Sequence, residues 1–256
     1  VYTPVALLLF APLSRLPDTT VWGIWTVLNM LAYVGALFLV WRALRPRGAS
    51  RLYLVLLSLC AILFAPFIEM LYVGQINGLI LLGIALLFYA TVTDRWAIVG
   101  AIGLACAAAV KMSPIVLLGL PAAWERPRRV VWGLGAVVIL AAIAGVVFGA
   151  GVWRQFFDAM PVLFQSYPKT INQTLAVSAC AILHQASCPA LRDWATFSGI
   201  AVLALAVAGL FPAASSPRDR VIGSALMITG MVIASPLIWY HHMVFLTIPL
   251  LVLILG

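Results

Sequence analysis

Long apolar runs broken by short polar punctuation dominate the chain. The runs fall near 21–41, 52–68, 76–93, 97–110, 114–124, 131–149, 196–211, 221–235 and 243–256. No stretch alternates polar and apolar positions over about ten residues, so the pattern predicts membrane helices and not a barrel of strands. A shorter run, 5–13, follows Pro4 and is closed by Pro12 and Pro17. It is too short to span and reads as a re-entrant or interfacial helix. The pair 97–110 and 114–124 reads as a helical hairpin broken by Pro114, with Lys111 near its tip. The expectation is an all-α, polytopic transmembrane helical bundle: one membrane domain over 1–256, about nine spans and the short N-terminal helix. The stretch 151–195 is its longest polar segment, with amphipathic pieces from Trp153 to Phe164 and from about Thr174 to His184.

Composition removes the soluble alternative. Of 256 residues 65% are hydrophobic and 9% charged, with a mean hydropathy of +1.15. A soluble domain carries about 25% charged residues. The net charge of +8 does not indicate nucleic acid, because the basic residues sit in short clusters between apolar runs. There they set orientation. Arg42, Arg45, Arg47, Arg51, Arg95, Arg126, Arg128, Arg129, Arg218 and Arg220 fall in loops assigned to one side, which is then cytoplasmic. Only Arg15, Lys111, Arg154, Lys169 and Arg192 fall on the other. The chain starts at Val1 without Met and stops inside an apolar run, which reads as a fragment whose N-terminal part and C-terminal end are missing.

Polar residues at membrane depth carry the chemistry. Four groups stand out, all on the non-cytoplasmic side: Glu69 with Gly74, Gln75 and Asn77; Lys111; Lys169 with Asn172, Gln173 and Thr174; and Trp239, Tyr240, His241 and His242. Each has a bland alternative. Glu69 can reach interfacial water, Gln75 and Asn77 can join helices, Lys111 can snorkel, and the histidines can cap a helix beside an aromatic belt. Asn172-Gln173-Thr174 is formally a glycosylation sequon, a pattern common by chance. Taken together, Lys111, Lys169 and one or both histidines suit a phosphate. Glu69, Gln75, Asn77 and Asn172 suit a polyhydroxyl group. Cys60 and Cys106 read as packing residues; Cys180 and Cys188 share a loop on the oxidising side, where a disulfide is feasible. No metal-ligand spacing occurs, and no metal or cofactor is expected.

The ordered set of motifs resembles glycosyltransferase family 87. It comprises Tyr2-Thr3-Pro4 with Ala11-Pro12-Leu13, Trp25 and Asn29, Gly74-Gln75-x-Asn77, Lys111-x-x-Pro114, Asn172-Gln173-Thr174, and Ser235-Pro236-x-x-Trp239-x-His241-His242. Thr174 stands where the family usually has Ser. The resemblance implies a GT-C-type fold in the cell membrane. It implies transfer of a hexose, often mannose, from a polyprenyl-phosphate sugar to a glycolipid or glycan acceptor on the non-cytoplasmic face, without a metal. The matched motifs carry substrate-binding roles onto Lys111, His242, His241, Gln75, Asn77, Asn172 and Trp239, and the reading of the polar groups adds Glu69 and Lys169. The general-base Asp is expected upstream of Val1, so no catalytic residue is named in the chain. The rival readings are a secondary transporter or flippase, or a structural membrane protein.

Overall fold

The computed structural model describes residues 2–44, 51–119, 127–163, 182, 216–235 and 238–255. Among these the protein is an all-α membrane protein, with helices α1 (Leu7–Leu13), α2 (Asp18–Leu44), α3 (Arg51–Ile62), α4 (Ala65–Tyr72), α5 (Asn77–Thr93), α6 (Ala97–Val110), α7 (Pro127–Phe148), α8 (Gly151–Leu163), α9 (Pro217–Ile233) and α10 (Thr247–Leu255). Three 3-10 segments, Pro4–Ala6, Ser113–Leu118 and Tyr240–Leu246, supply the irregular backbone. No β-strand occurs among the described residues.

Among the described residues two helices, α2 and α7, are long and apolar enough to cross a membrane. A third candidate is the bent pair Val55–Ile62 and Ala65–Tyr72, with an angle of 43° at the break. The sequence pattern reads one run over 52–68, whereas the structure divides it. Phe64 is extended at the N-cap of α4 and Pro66 sits in its first turn. A proline is tolerated at a helix start but excludes continuation from the preceding turn. The expectation of about nine spans also counts shorter segments, among them α5, α6 and the unit Tyr240–Leu255. It further counts the run 196–211, which lies outside the described residues, as does most of 151–195.

The core is built around α5. Ile80, Leu81, Ile84, Leu87 and Phe88 are each about 1% exposed, as expected for a helix that is apolar all round. It packs on α2 along one side and α6 along the other. The α2 face turned away from α5 exposes Val27, Leu31, Val34 and Phe38, at spacings of three and four residues that mark one helix face. Such a face requires lipid, not water, as its solvent. Cys60 and Cys106 are also exposed, so the expectation that they pack inside does not hold; they face outward.

Glycine sets the α5–α6 spacing. A Cβ added to Gly83 would stand 2.4 Å from the carbonyl oxygen of Gly103 and 2.8 Å from the Cβ of Ala107. The backbones thus approach as closely as small residues permit, which is how membrane helices gain packing without a hydrophobic driving force. The expected outcome for Gly83→Ala is a loss of about 1–3 kcal/mol from overpacking, read as a lower Tm in detergent. Gly135→Ala in α7, where a Cβ meets open space, should leave Tm unchanged or raise it. Equal behaviour of the two variants would refute the close contact.

Candidate active site

At one end of α5 the helix pattern breaks four times, and each break delivers a polar group to the same place. The first lies between α4 and α5. Gly74 takes φ +66°. The Gly74 amide donates to Leu71 O and the Gln75 amide to Met70 O, closing α4. A left-handed residue at a helix end is the usual province of glycine. The Gly74 carbonyl accepts from Trp25 Nε1 at 2.9 Å. One turn along α2, Asn29 is 1% exposed, and its Oδ1 accepts the Gly78 amide at 3.2 Å. Trp25 and Asn29 thereby fix the start of α5, and Asn77 enters fully buried.

The second break ends α6. Lys111 is extended, with φ −138° and ψ 118°. The third is the N-terminal segment, which completes this end. The Thr3 amide donates to Val110 O at 2.9 Å, and the Thr3 hydroxyl donates to Ala109 O. Thr3 also caps the Pro4–Ala6 turn, and the Tyr2 hydroxyl donates to Gln75 Oε1. The fourth break is the 3-10 segment Tyr240–Leu246. There the Trp239 amide donates to His242 Nδ1 at 3.1 Å, which turns the opposite ring nitrogen toward Lys111.

These elements meet on Lys111. Its Nζ lies 2.6 Å from His242 Nε2 and donates to Asn77 Oδ1 at 3.2 Å. Asn77 Nδ2 in turn donates to the His241 carbonyl at 3.2 Å. The Phe245 ring centroid is 5.9 Å from Nζ. Lys111 is 8% exposed, His242 9% and His241 2%. Among the described residues no carboxylate pairs with Lys111; its polar contacts there are an amide oxygen and an imidazole. A buried ammonium without a counter-ion is costly, so the arrangement suits an anion arriving from outside. Beside the Lys111–His242 pair lies a cavity of about 20 Å³, lined in part by Ser113, Ser235 and Phe245. That is room for one oxygen-sized group.

The sequence-predicted residues divide into three sets. Lys111, Asn77, His241 and His242 form one connected network. Gln75 stands next to it, tied to Tyr2, and Trp239 packs edge-on against His241 at 5.5 Å between ring centroids, with 37% of its surface exposed. Glu69 is on α4, which packs against Tyr240–Leu246. Its Oε2 is sealed from solvent without a hydrogen-bond partner, as is His241 Nε2. Lys169, Asn172, Gln173, Thr174, Cys180 and Cys188 lie outside the described residues. Sequence reasoning left Tyr2, Trp25, Asn29, Ser113 and Ser235 out of the binding set. Thr3 before Pro4 carries a helix-start signal, and Asn29 is a polar residue inside an apolar run; Ser113 and Ser235 are too small and common to stand out.

A family model described as "Glycosyltransferase family 87" matches residues 1–236. No curated protein and no solved structure matches the chain. The chain therefore belongs to glycosyltransferase family 87. It is a membrane glycosyltransferase, with a sugar donor and an acceptor as substrates. Membership favours the glycosyltransferase reading over the transporter.

Asn29→Ala should cost about 1–3 kcal/mol by orphaning the buried Gly78 amide. Ser14→Ala, on an exposed hydroxyl, should stay within about 0.5 kcal/mol. Melting curves of the two variants in the same detergent decide; an Asn29→Ala curve superimposed on wild type would show that Asn29 does not hold the turn.

Proposed function

We propose that the protein transfers a hexose, mannose by the family resemblance, from a polyprenyl-phosphate sugar to a glycolipid or glycan acceptor on the non-cytoplasmic face of the cell membrane. One observation carries the reading: Lys111 is a buried lysine whose described polar partners include no carboxylate. A leaving phosphate supplies the missing charge. In the transfer, the acceptor hydroxyl oxygen forms a bond to the anomeric carbon while the bond from that carbon to the phosphate oxygen breaks. Negative charge grows on the departing phosphate, where Lys111 and His242 donate to it; such groups act most strongly where charge develops. His242 is a donor in either protonation state, given the appropriate tautomer. Asn77 holds Lys111 in place and ties it to the backbone of His241. Gln75, Glu69, His241 and Trp239 are assigned to the sugar hydroxyls, Asn172 joins them on the motif match, and Lys169 is assigned to the phosphate. The acceptor's proton goes to a carboxylate, expected on an Asp before Val1, acting as general base. No metal or other cofactor is invoked.

Lys111→Ala and His242→Ala in the full-length enzyme should each reduce transfer about 100- to 1000-fold, which is about 3–4 kcal/mol, while folded protein remains in the membrane. His241→Ala should cost less, because His241 joins the network through its backbone carbonyl and adjacent residues of a 3-10 segment point about 120° apart. The assay is transfer of radiolabelled hexose from polyprenyl-phosphate hexose in membranes. Wild-type rates in both variants would remove the pair from the site. No transfer by the wild type across polyprenyl-linked donors would sink the donor assignment.

Orientation has its own test. Cysteines introduced at 155–160 should react with an impermeant thiol reagent on intact cells, and cysteines at 45–48 should not. The reverse pattern would place the Lys111 end in the cytoplasm.

A further inference from the structure

The candidate active site holds two of the five sealed, unpartnered side-chain polar atoms found among the described residues. The other three lie toward the opposite end of α5: Thr91 Oγ1, Arg220 Nε and Ser224 Oγ. Thr91 is 2% exposed and Ser224 is fully buried. Ser224 stands one turn from Arg220 on the same face of α9, and Arg220 Nη1 donates to the Thr91 carbonyl at 3.3 Å. This is a polar seam between α5 and α9 whose hydrogen bonding is incomplete.

Two guanidinium groups close over it. Arg129 of α7 donates from Nη2 to Asp94 Oδ1 at 2.6 Å and from Nη1 to the Ala90 carbonyl at 3.4 Å. Arg220 Nη1 is 3.8 Å from Asp94 Oδ2. Both side chains are largely buried, at 11% and 16% exposure. Part of their role is plain: they satisfy carbonyls at the negative end of the α5 dipole. One carboxylate nevertheless serves two arginines, and the longer contact leaves Arg220 only loosely neutralised. Arg95, Arg128 and Arg218 are exposed around the pair, so the positive excess extends to the surface. Trp96 is 58% exposed and its ring lies 5.2 Å from that of Tyr89. An exposed Trp at the end of membrane helices marks headgroup depth.

We propose that Arg129 and Arg220 form a second ligand site, for the phosphate of an anionic membrane lipid. A phosphate ester offers what the cluster lacks: anionic oxygens in the fork geometry that guanidinium groups favour. Basic pockets between helix ends are suited to such headgroups. Asp94 competes with the lipid for the same donors. The site is separate from the sugar-transfer chemistry, at the end which the arginine asymmetry assigns to the cytoplasmic leaflet.

The test is native mass spectrometry of the full-length protein released from mixed micelles, with phosphatidylglycerol and phosphatidylcholine at equal concentration. Wild type should retain the anionic lipid preferentially, and Arg129→Gln with Arg220→Gln should abolish the preference. Because the arginines also hold the end of α5, Asp94→Asn is the decisive variant. Removing the competing carboxylate should raise phosphatidylglycerol retention several-fold even if Tm falls. Arg154→Gln, on the exposed Arg154–Asp158 pair, should change nothing. Unchanged or lowered retention in Asp94→Asn would reduce the cluster to a helix clamp and overturn the proposal. A gain in Tm with inorganic phosphate equal to that with phosphatidylglycerol would assign the site to a soluble anion instead and overturn the lipid assignment.

Discussion

A lysine buried without a carboxylate partner among the described residues is the constraint on which this end of the protein depends. Burying a cation is unfavourable, and a nearby Asp or Glu would relieve it cheaply. The described structure instead surrounds Nζ with an amide oxygen, an imidazole nitrogen and an aromatic ring. A carboxylate salt bridge would neutralise the lysine before any substrate arrived. Asn77 holds it in place without neutralising it, and His242, whose Nδ1 accepts from the Trp239 amide, turns a second N–H donor toward the same point. The cost has to be met by the rest of the fold, and the dense packing of α5 against α2 and α6 supplies the rigid frame.

That frame also explains why so many helix ends collect in one place. A helix interior in a membrane satisfies its own backbone and offers nothing to a ligand. Only ends and breaks expose polar backbone and bring polar side chains inward. Gly74, Lys111, Thr3 and Trp239 each sit at such an end, and each end is closed by a group from another segment. Thr3 bonds the carbonyls of α6, Trp25 bonds that of Gly74, and Asn77 bonds that of His241. The irregular backbone at membrane depth is thus covered by protein.

The helical character was plain in the sequence because apolar runs of this length have few alternatives. Lys111, Asn77, His241 and His242 were legible for the same reason: a polar residue amid apolar ones is conspicuous. Their mutual contacts were not, since hydropathy carries no information about which helix faces which. The bend at Phe64–Pro66 was hidden inside a single apolar run, although Pro66 marked it. The Arg129–Asp94–Arg220 cluster was masked by the positive-inside rule, which accounts for arginines without asking what they touch. Cys60 and Cys106 were misplaced because an apolar neighbourhood in sequence does not distinguish a core-facing position from a lipid-facing one.

The three-residue turn Asp94–Trp96 makes α5 and α6 a tight antiparallel pair, with Asp94 and Trp96 both at positive φ. Asn77 and Lys111 sit at the two far tips of this pair, 34 positions apart in the chain, whereas His242 is 131 positions from Lys111. Loop closure over the shorter distance carries the smaller entropy cost. The anion contact therefore has a local half, set within one hairpin, and a remote half that needs the segment bearing His242 to dock. In chain order the lysine precedes the histidine, so synthesis supplies the group that meets the anion before the group that completes its surroundings.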